Sequence, residues 1–413
     1  MPLWQRLTAA FRSLDAEPAE TAYRLTVMKA PSFWSHKHPG VLARLLQPVG
    51  LVYSLIGEAR LIAVGSARPL VPVVCVGNPT LGGAGKTPVA IAIGKRLRQR
   101  GLRPGFLSRG YGVKITTPVE VERGGKATDY GDEPLLLAKT GTTICSPNRS
   151  WGAERLEKKG VDVIVMDDGF QNPSLSKDLS LLVVDAEAGF GNGLIFPAGP
   201  LRMRIAPQLA RAHAIVIVGT GKASTHLSRL AERRGIPVIH ALLHANAGRV
   251  KKLRRRRLVA YAGIGRPEKF FNTLRAEKLD VVETVAFNDH HPYTRHDAKR
   301  LLALAHKHDA LLVTTEKDAV RLSGQADDTL TELARESQVL PVEAVFDRVS
   351  LHKLNLLLDT LPNTKQEKAI SKPAAKTAIP KKPAAKKARP KKTAAKKPVP
   401  KQAVKAVQGR KKT

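Results

Sequence analysis

The chain has 413 residues, enough for two ordinary domains with buried cores, and at 43% apolar residues it is not a wholly disordered protein. Its formal charge is +34, and half of it is concentrated: residues 364–413 carry 18 Lys+Arg against one acid, Glu367, leaving 51 against 34 for the rest. Two cysteines, Cys75 and Cys145, outside any CxxC pair, exclude a disulfide framework, make a structural zinc site unexpected and fit a reducing cytosol.

In chain order, Arg6, Arg12, Asp15, Glu17 and Glu20 break up the first 25 residues, so no secretory signal is expected there. The longest apolar tract follows, VLARLLQPVGLVYSLIGEARLIAVG at 41–65, and Arg44, Glu58 and Arg60 argue against a spanning helix. Two readings stand for it. One is an interfacial helix whose Leu45, Leu46, Leu51, Tyr53 and Leu55 enter the acyl boundary while Lys37 and Arg44 meet lipid phosphates; the other is a core helix packed on a sheet.

From about 70 to 345, β-branched runs alternate with helical patterns, which predicts an α/β protein with a mainly parallel sheet. Strands are expected at 72–76, 105–107, 142–145, 161–166 and 181–184, with helices at 88–100, 133–139 and 151–159. The Gly- and Pro-rich GNGLIFPAGPLR reads as a connector, and a second, smaller α/β domain is expected to begin near Ala206. Its strands fall at 214–218, 237–240, 258–262, 281–286, 310–313 and 339–345, and its helices at 224–234, 267–277, 295–307 and 349–360. Beyond Asn363 the Lys/Ala/Pro-rich chain has no aromatic residue and little to bury, so disorder is expected. Such a tail either captures a polyanion, nucleic acid or an anionic leaflet, or is a solvated extension.

The sharpest local signal is VGNPTLGGAGKTP at 76–88, between an apolar strand and an apolar-periodic helix. Thr80 replaces the first Gly of GxxxxGK[ST], but Gly82, Gly83, Ala84 and Gly85 supply the backbone N–H groups of a phosphate loop, Lys86 reaches the β/γ-phosphates, and Thr87 is a Mg²⁺ ligand. An apolar strand ending in Asp167-Asp168 provides the metal-orienting carboxylate, in one acid or the other. GDEP (131–134) and DHHPY (289–293) are each weak alone. Together with an ATP site they offer a carboxylate and an imidazole for activating a hydroxyl nucleophile. Arg109, Arg149 and Arg202 fall where open α/β sheets place ligands, suited to neutralising phosphate. The run KKLRRRR (251–257) reads as a solvated face or a polyanion patch.

Taken in order, APSFW (30–34), the phosphate loop, SRGYG (108–112), GDEP, MDDGFQ (166–171), FGNGLIFPAGPLR (190–202), AGIGRPEKFF (262–271), DHHPY and TTEKDAVRL (314–322) resemble the tetraacyldisaccharide 4′-kinases of lipid A biosynthesis across residues 28–361. The resemblance implies an ATP- and Mg²⁺-dependent lipid kinase, peripheral on the cytoplasmic face of the inner membrane, with a tetraacyldisaccharide 1-phosphate and an anionic membrane surface as partners. It assigns Lys86 and Thr87 to ATP and Mg²⁺, Asp167 and Asp168 to the metal, and Asp132 with His290 to deprotonation of the sugar 4′-hydroxyl. Glu133 is implied on the metal side, Arg149 and Arg202 facing phosphate, and Gln171 in the phosphate or metal shell. Met203 and Asn172 depart from the family pattern, so no role is carried to them.

The expected architecture is therefore a P-loop NTPase-like domain over 28–205 with a membrane-associating helix, a smaller α/β domain over 206–362, an N-terminal extension (1–27) and the basic tail (363–413). The competing function is a nucleic-acid-associated P-loop ATPase anchored by that tail and the 251–257 run. Activity of a chain lacking 364–413 separates the two.

Overall fold

The computed structural model describes residues 31–36 and 38–362. The expectations for 1–27, for Lys37 and for the tail lie outside that range. Thirteen strands are described: β1 Val73–Gly77, β2 Pro104–Ser108, β3 Val119–Glu120, β4 Thr143–Cys145, β5 Val163–Asp167, β6 Leu179–Asp185, β7 Ala214–Val218, β8 Val238–Ala245, β9 Arg257–Ala262, β10 Asp280–Ala286, β11 Leu311–Thr314, β12 Ser337–Val339 and β13 Val342–Phe346.

Nine strands form one sheet in the order β13-β8-β7-β6-β1-β5-β2-β4-β3. Its centre is parallel, and only the edge pairs β3–β4 and β13–β8 run antiparallel. Both faces are covered, as parallel sheets require. Val74 and Val76 of β1 pack with the helix Lys86–Gln99, while Val73 and Cys75 enter the opposite layer with Met166 and Leu182. The four remaining strands make an all-parallel sheet, β10-β9-β11-β12, again with alternate residues such as Ala260 and Tyr261 in two separate clusters.

The α/β class and parallel sheets agree with the sequence, but the division near Ala206 does not follow the sheets. β7 pairs in parallel with β6, Leu181 opposite Ala214, so the strands at 214–218 and 238–245 extend the large sheet. The Gly/Pro-rich connector is a crossover loop on that sheet, which local composition cannot tell from a domain boundary. The chain enters the smaller sheet after β8 and returns by β13, and this antiparallel pair is the two-stranded link between the lobes. The single strand expected at 339–345 is two: β12 belongs to the small sheet and β13 to the large one. Pro341 stands between them and its carbonyl accepts from the Asn246 N–H at 2.9 Å.

The helix Val41–Ala63 is not in a core. A stripe of Ala43, Gly50 and Ser54 is buried against the body, and a Cβ at Gly50 would meet the Ile195 carbonyl at 3.0 Å. Glu58 is tied down by Ser54 and Arg204, the Arg204 Nε lying 2.8 Å away. The outward face is apolar and bare, with Leu45 70% and Ile62 88% exposed.

Candidate active site

β1 lies between β5 and β6, so the loop after it opens at the centre of the large sheet, where strand order reverses and ligands are received. Asn78, fully buried, organises that loop. Its amide donates to the carbonyls of Thr80 (2.7 Å) and Gly82 (3.1 Å), and its Oδ1 accepts from Lys86 Nζ at 3.1 Å. Gly85 has φ +85°, and a Cβ there would stand 3.1 Å from Val218, so an L side chain would be strained by the backbone and tight against its neighbour. The loop backbone then turns into the N-terminus of Lys86–Gln99, whose unpaired N–H groups and dipole face the glycine turn.

The paired acids at the end of β5 have different surroundings. Asp167 is 1% exposed and accepts from the Thr87 hydroxyl at 3.0 Å. Burial, with Glu133 and then Asp168 nearby, pushes its carboxyl up to about 7 despite Lys86. Asp168 holds φ +54°; burial opposes its charge, but Arg202 at 3.1 Å and Lys86 at 3.6 Å keep it far below the ordinary carboxylate range. Each acid leaves Oδ1 buried without a hydrogen-bond partner. Those orphaned oxygens and the Thr87 hydroxyl are hard oxygen donors of the kind Mg²⁺ takes, with Glu133 near enough to act on the charge of Asp167. Among the described residues no three His, Cys, Asp or Glu side chains are grouped to hold a metal ion by themselves.

The second cluster comes from both lobes. Asp132 and Glu133 start the helix Asp132–Ala138, where the positive end of the backbone dipole favours them. His290, held at φ +55° in the loop after β10, brings Nδ1 to 3.3 Å from Asp132 Oδ2, with Tyr111 stacked obliquely on its ring at 5.7 Å. Burial works against the imidazolium, but Asp132, with Asp289 behind it, more than compensates, so His290 titrates above the usual histidine. His291 points elsewhere: its Nε2 is 3.0 Å from Asp297 and its ring stacks on Phe287. Of the two histidines of DHHPY, His290 is the one beside Asp132.

Arg202 bridges Asp168 and the Thr80 carbonyl (Nε, 3.2 Å), closing the metal side onto the loop. Arg149 is 2% exposed at the start of Arg149–Lys158; Nη1 donates to the Ser146 carbonyl at 2.6 Å and Nε is buried without a partner. Burial, with Arg109 adding to it, brings its guanidinium down to about 10. Gln171 donates to the Asn78 carbonyl (2.9 Å) and to Gln208 (3.0 Å), bracing the loop from behind.

Sequence reasoning assigned no role to Asn78, Lys317, Asp318 or Arg321. Lys317 reaches Glu133 at 2.7 Å and Arg321 reaches Asp132 at 2.5 Å, both from the helix Glu316–Leu322 of the small lobe. Their only signal was position within TTEKDAVRL. The small lobe also lies close to the phosphate loop: a Cβ built on Gly265 would stand 3.6 Å from the Gly83 nitrogen.

The sequence model of the Tetraacyldisaccharide-1-P 4'-kinase family, LpxK, matches residues 42–360. The chain belongs to this family. It is 51% identical over 300 residues to the Tetraacyldisaccharide 4'-kinase of Methylorubrum extorquens (strain PA1), covering 72% of this chain and 91% of the relative. The enzyme of that name from Rhodopseudomonas palustris (strain BisB5) is 44% identical over 331 residues, 79% of this chain and 97% of the relative. A crystal structure of LpxK from Aquifex aeolicus in complex with ATP superimposes with a TM-score of 0.59 at 25% identity, covering 77% of this chain and 99% of that one. The P-loop kinase fold expected from the sequence is therefore shared with family members, over a range that includes both sheets.

Proposed function

We propose that this chain is the ATP-dependent kinase that phosphorylates the 4′-hydroxyl of a tetraacyl glucosamine disaccharide 1-phosphate in lipid A biosynthesis. Family membership supports the activity. The observation carrying the chemistry is the Asp132–His290 pair, assembled from two lobes, with Asp132 adjoining Glu133, whose charge acts on Asp167 beside the phosphate loop. The nucleic-acid-associated ATPase gains no support from the same matches.

In this reading the Gly82–Gly85 backbone and Lys86 cradle the β- and γ-phosphates. Thr87, Asp167, Asp168 and Glu133 would hold Mg²⁺, which when bound neutralises phosphate charge and aligns the transferring group. Asp132, oriented by His290, accepts the proton of the sugar hydroxyl as its oxygen approaches phosphorus. Arg202 and Arg149 offset the charge spreading over the equatorial oxygens, Arg149 through the Nε that has no protein partner. The nearness of the small lobe to the phosphate loop, Gly265 beside Gly83, supports a closed site that favours the acceptor hydroxyl over water.

The lipid substrate implies work at a bilayer, on the cytoplasmic face of the inner membrane, where ATP is available. The bare apolar face of Val41–Ala63 supports peripheral docking there, with the Ala43/Gly50/Ser54 stripe anchoring it to the enzyme. By length and composition this helix could also cross a membrane. Its Glu58–Arg204 ion pair supports the docked reading by tying the helix to the protein.

The deciding measurement is transfer of label from γ-labelled ATP to a tetraacyl disaccharide 1-phosphate in mixed micelles with Mg²⁺, for wild type, Lys86→Ala and Asp132→Ala. Lipid product lost in both variants is expected. ATP hydrolysis without lipid product, stimulated by DNA or RNA, would overturn the proposal.

A further inference from the structure

All three guanidinium nitrogens of Arg321 donate hydrogen bonds, to partners from both lobes. Its Nε and Nη2 both donate to Asp132 Oδ2, at 3.1 and 2.5 Å, while Nη1 donates to the Gly263 carbonyl at 2.5 Å and to Asp318 Oδ1 at 2.9 Å. The Gly263 carbonyl is also the acceptor for the His290 backbone N–H, at 3.1 Å. One planar guanidinium therefore grips the carboxylate of Asp132 and, through a shared carbonyl, the backbone of the residue that pairs with it. Asp318 fixes the guanidinium in turn. It is fully buried and accepts from the Gly263 N–H (3.0 Å), the Tyr293 hydroxyl (2.8 Å) and the Thr315 hydroxyl (2.6 Å).

We infer that Arg321 is a positioning residue for phosphoryl transfer: it sets the distance and orientation of the Asp132–His290 pair from the small lobe. The inference rests on the assignment of that pair to hydroxyl activation. The fork geometry is essential to it. A lysine is a single point donor on a flexible stem and cannot hold Asp132, Gly263 and Asp318 in one plane. The pair is assembled across two lobes, and His290 sits in a left-handed backbone conformation that its surroundings must impose. A misplacement of about 1 Å at such a pair is enough to cost about 100-fold in rate.

The test compares Arg321→Met, Arg321→Lys, Asp132→Asn and the Asp132→Asn/Arg321→Met double variant, reading kcat, the KM for ATP and for lipid, and the melting temperature. Arg321→Met is expected to lower kcat about 100-fold with the KM for ATP moving less than about threefold, and Arg321→Lys to fall between Met and wild type. On the Asp132→Asn background Arg321→Met should cost less than about threefold more, since it acts through the group already removed. A merely structural ion pair would lower the melting temperature and leave kcat within about threefold, or multiply fully in the double variant, and either overturns the inference. If Arg321→Met does not fold, Arg321→Lys decides: at least about fivefold lower kcat with unchanged ATP KM supports positioning, and wild-type kcat refutes it. Wild-type kcat in Asp132→Asn would remove the underlying assignment. An inactive Asp132→Asn beside a fully active Arg321→Lys removes this inference alone.

Discussion

Adjacent histidines with the same chemistry have different work because one backbone residue points each into a different environment. His290 meets Asp132, whereas His291 is spent on Phe287 and Asp297 within its own lobe. His290→Ala should reduce kcat about 100-fold with little change in melting temperature, and His291→Ala should do the reverse, lowering the melting temperature while kcat stays within about threefold. Steady-state kinetics beside thermal melts on both proteins checks this. Lys86→Ala removes the cation that faces both Asn78 and Asp168, so product formation should fall by at least about 100-fold. These residues were readable because a phosphate loop is contiguous: its glycines, lysine and threonine act from one turn of chain. Arg321 was not, because KDAVR reads equally well as a solvated helix face until the helix is packed on Asp132 and Glu133.

Among elements, the phosphate-loop helix is the most constrained. Gly94 faces Phe106 of β2, and a Cβ there would fall 2.4 Å from the ring. Gly94→Ala should destabilise the protein by about 1–3 kcal/mol through overpacking, although alanine is the better helix former, and denaturant unfolding measures it. The apolar helix Val41–Ala63 behaves oppositely, with outer-face side chains such as Leu45, Val52 and Ile62 mostly exposed. Leu45→Glu with Leu55→Glu should leave unfolding free energy within about 0.5 kcal/mol and weaken cosedimentation with phosphatidylglycerol-containing vesicles at least about tenfold. Unchanged vesicle binding would reject the interfacial role. Sequence left this helix between core and interface because both are apolar; the stripe of Ala43, Gly50 and Ser54 became legible only when the Ile195 carbonyl lay against it.

At the scale of the whole molecule, two sets of ion pairs join the lobes on either side of the phosphate loop. One is Asp132/Glu133 with Arg321/Lys317. The other is Asp185, at the end of β6, with Arg266 and Lys269 from the small lobe. Burial raises the Asp185 carboxyl, but the Lys269 contact, the Ala188 N–H and Arg266 outweigh it and hold it below the ordinary aspartate value. A carboxylate depressed on folding contributes stability above its unfolded pKa, about 3.9, and loses it as pH falls through the lower folded value. Asp185→Asn should therefore cost about 1–3 kcal/mol at neutral pH, with partners partly exposed, and the difference from wild type should vanish in strong acid. Urea unfolding at a series of pH values measures it.

The α/β class, the phosphate loop and the acids at the strand end were set by local sequence, because period-2 burial, glycine turns and a strand-ending acid pair act over a few neighbouring residues. The lobe boundary was not, because a crossover loop and a domain linker share one composition, and only the pairing of β7 with β6 distinguishes them. Nor was the join between β12 and β13, where a single proline sends one run into two sheets. The partners of Asp132 are separated from it by 158 residues at His290 and 189 at Arg321. No local pattern spans that distance, so folding of the small lobe onto the large one decided which histidine and which arginine complete the site.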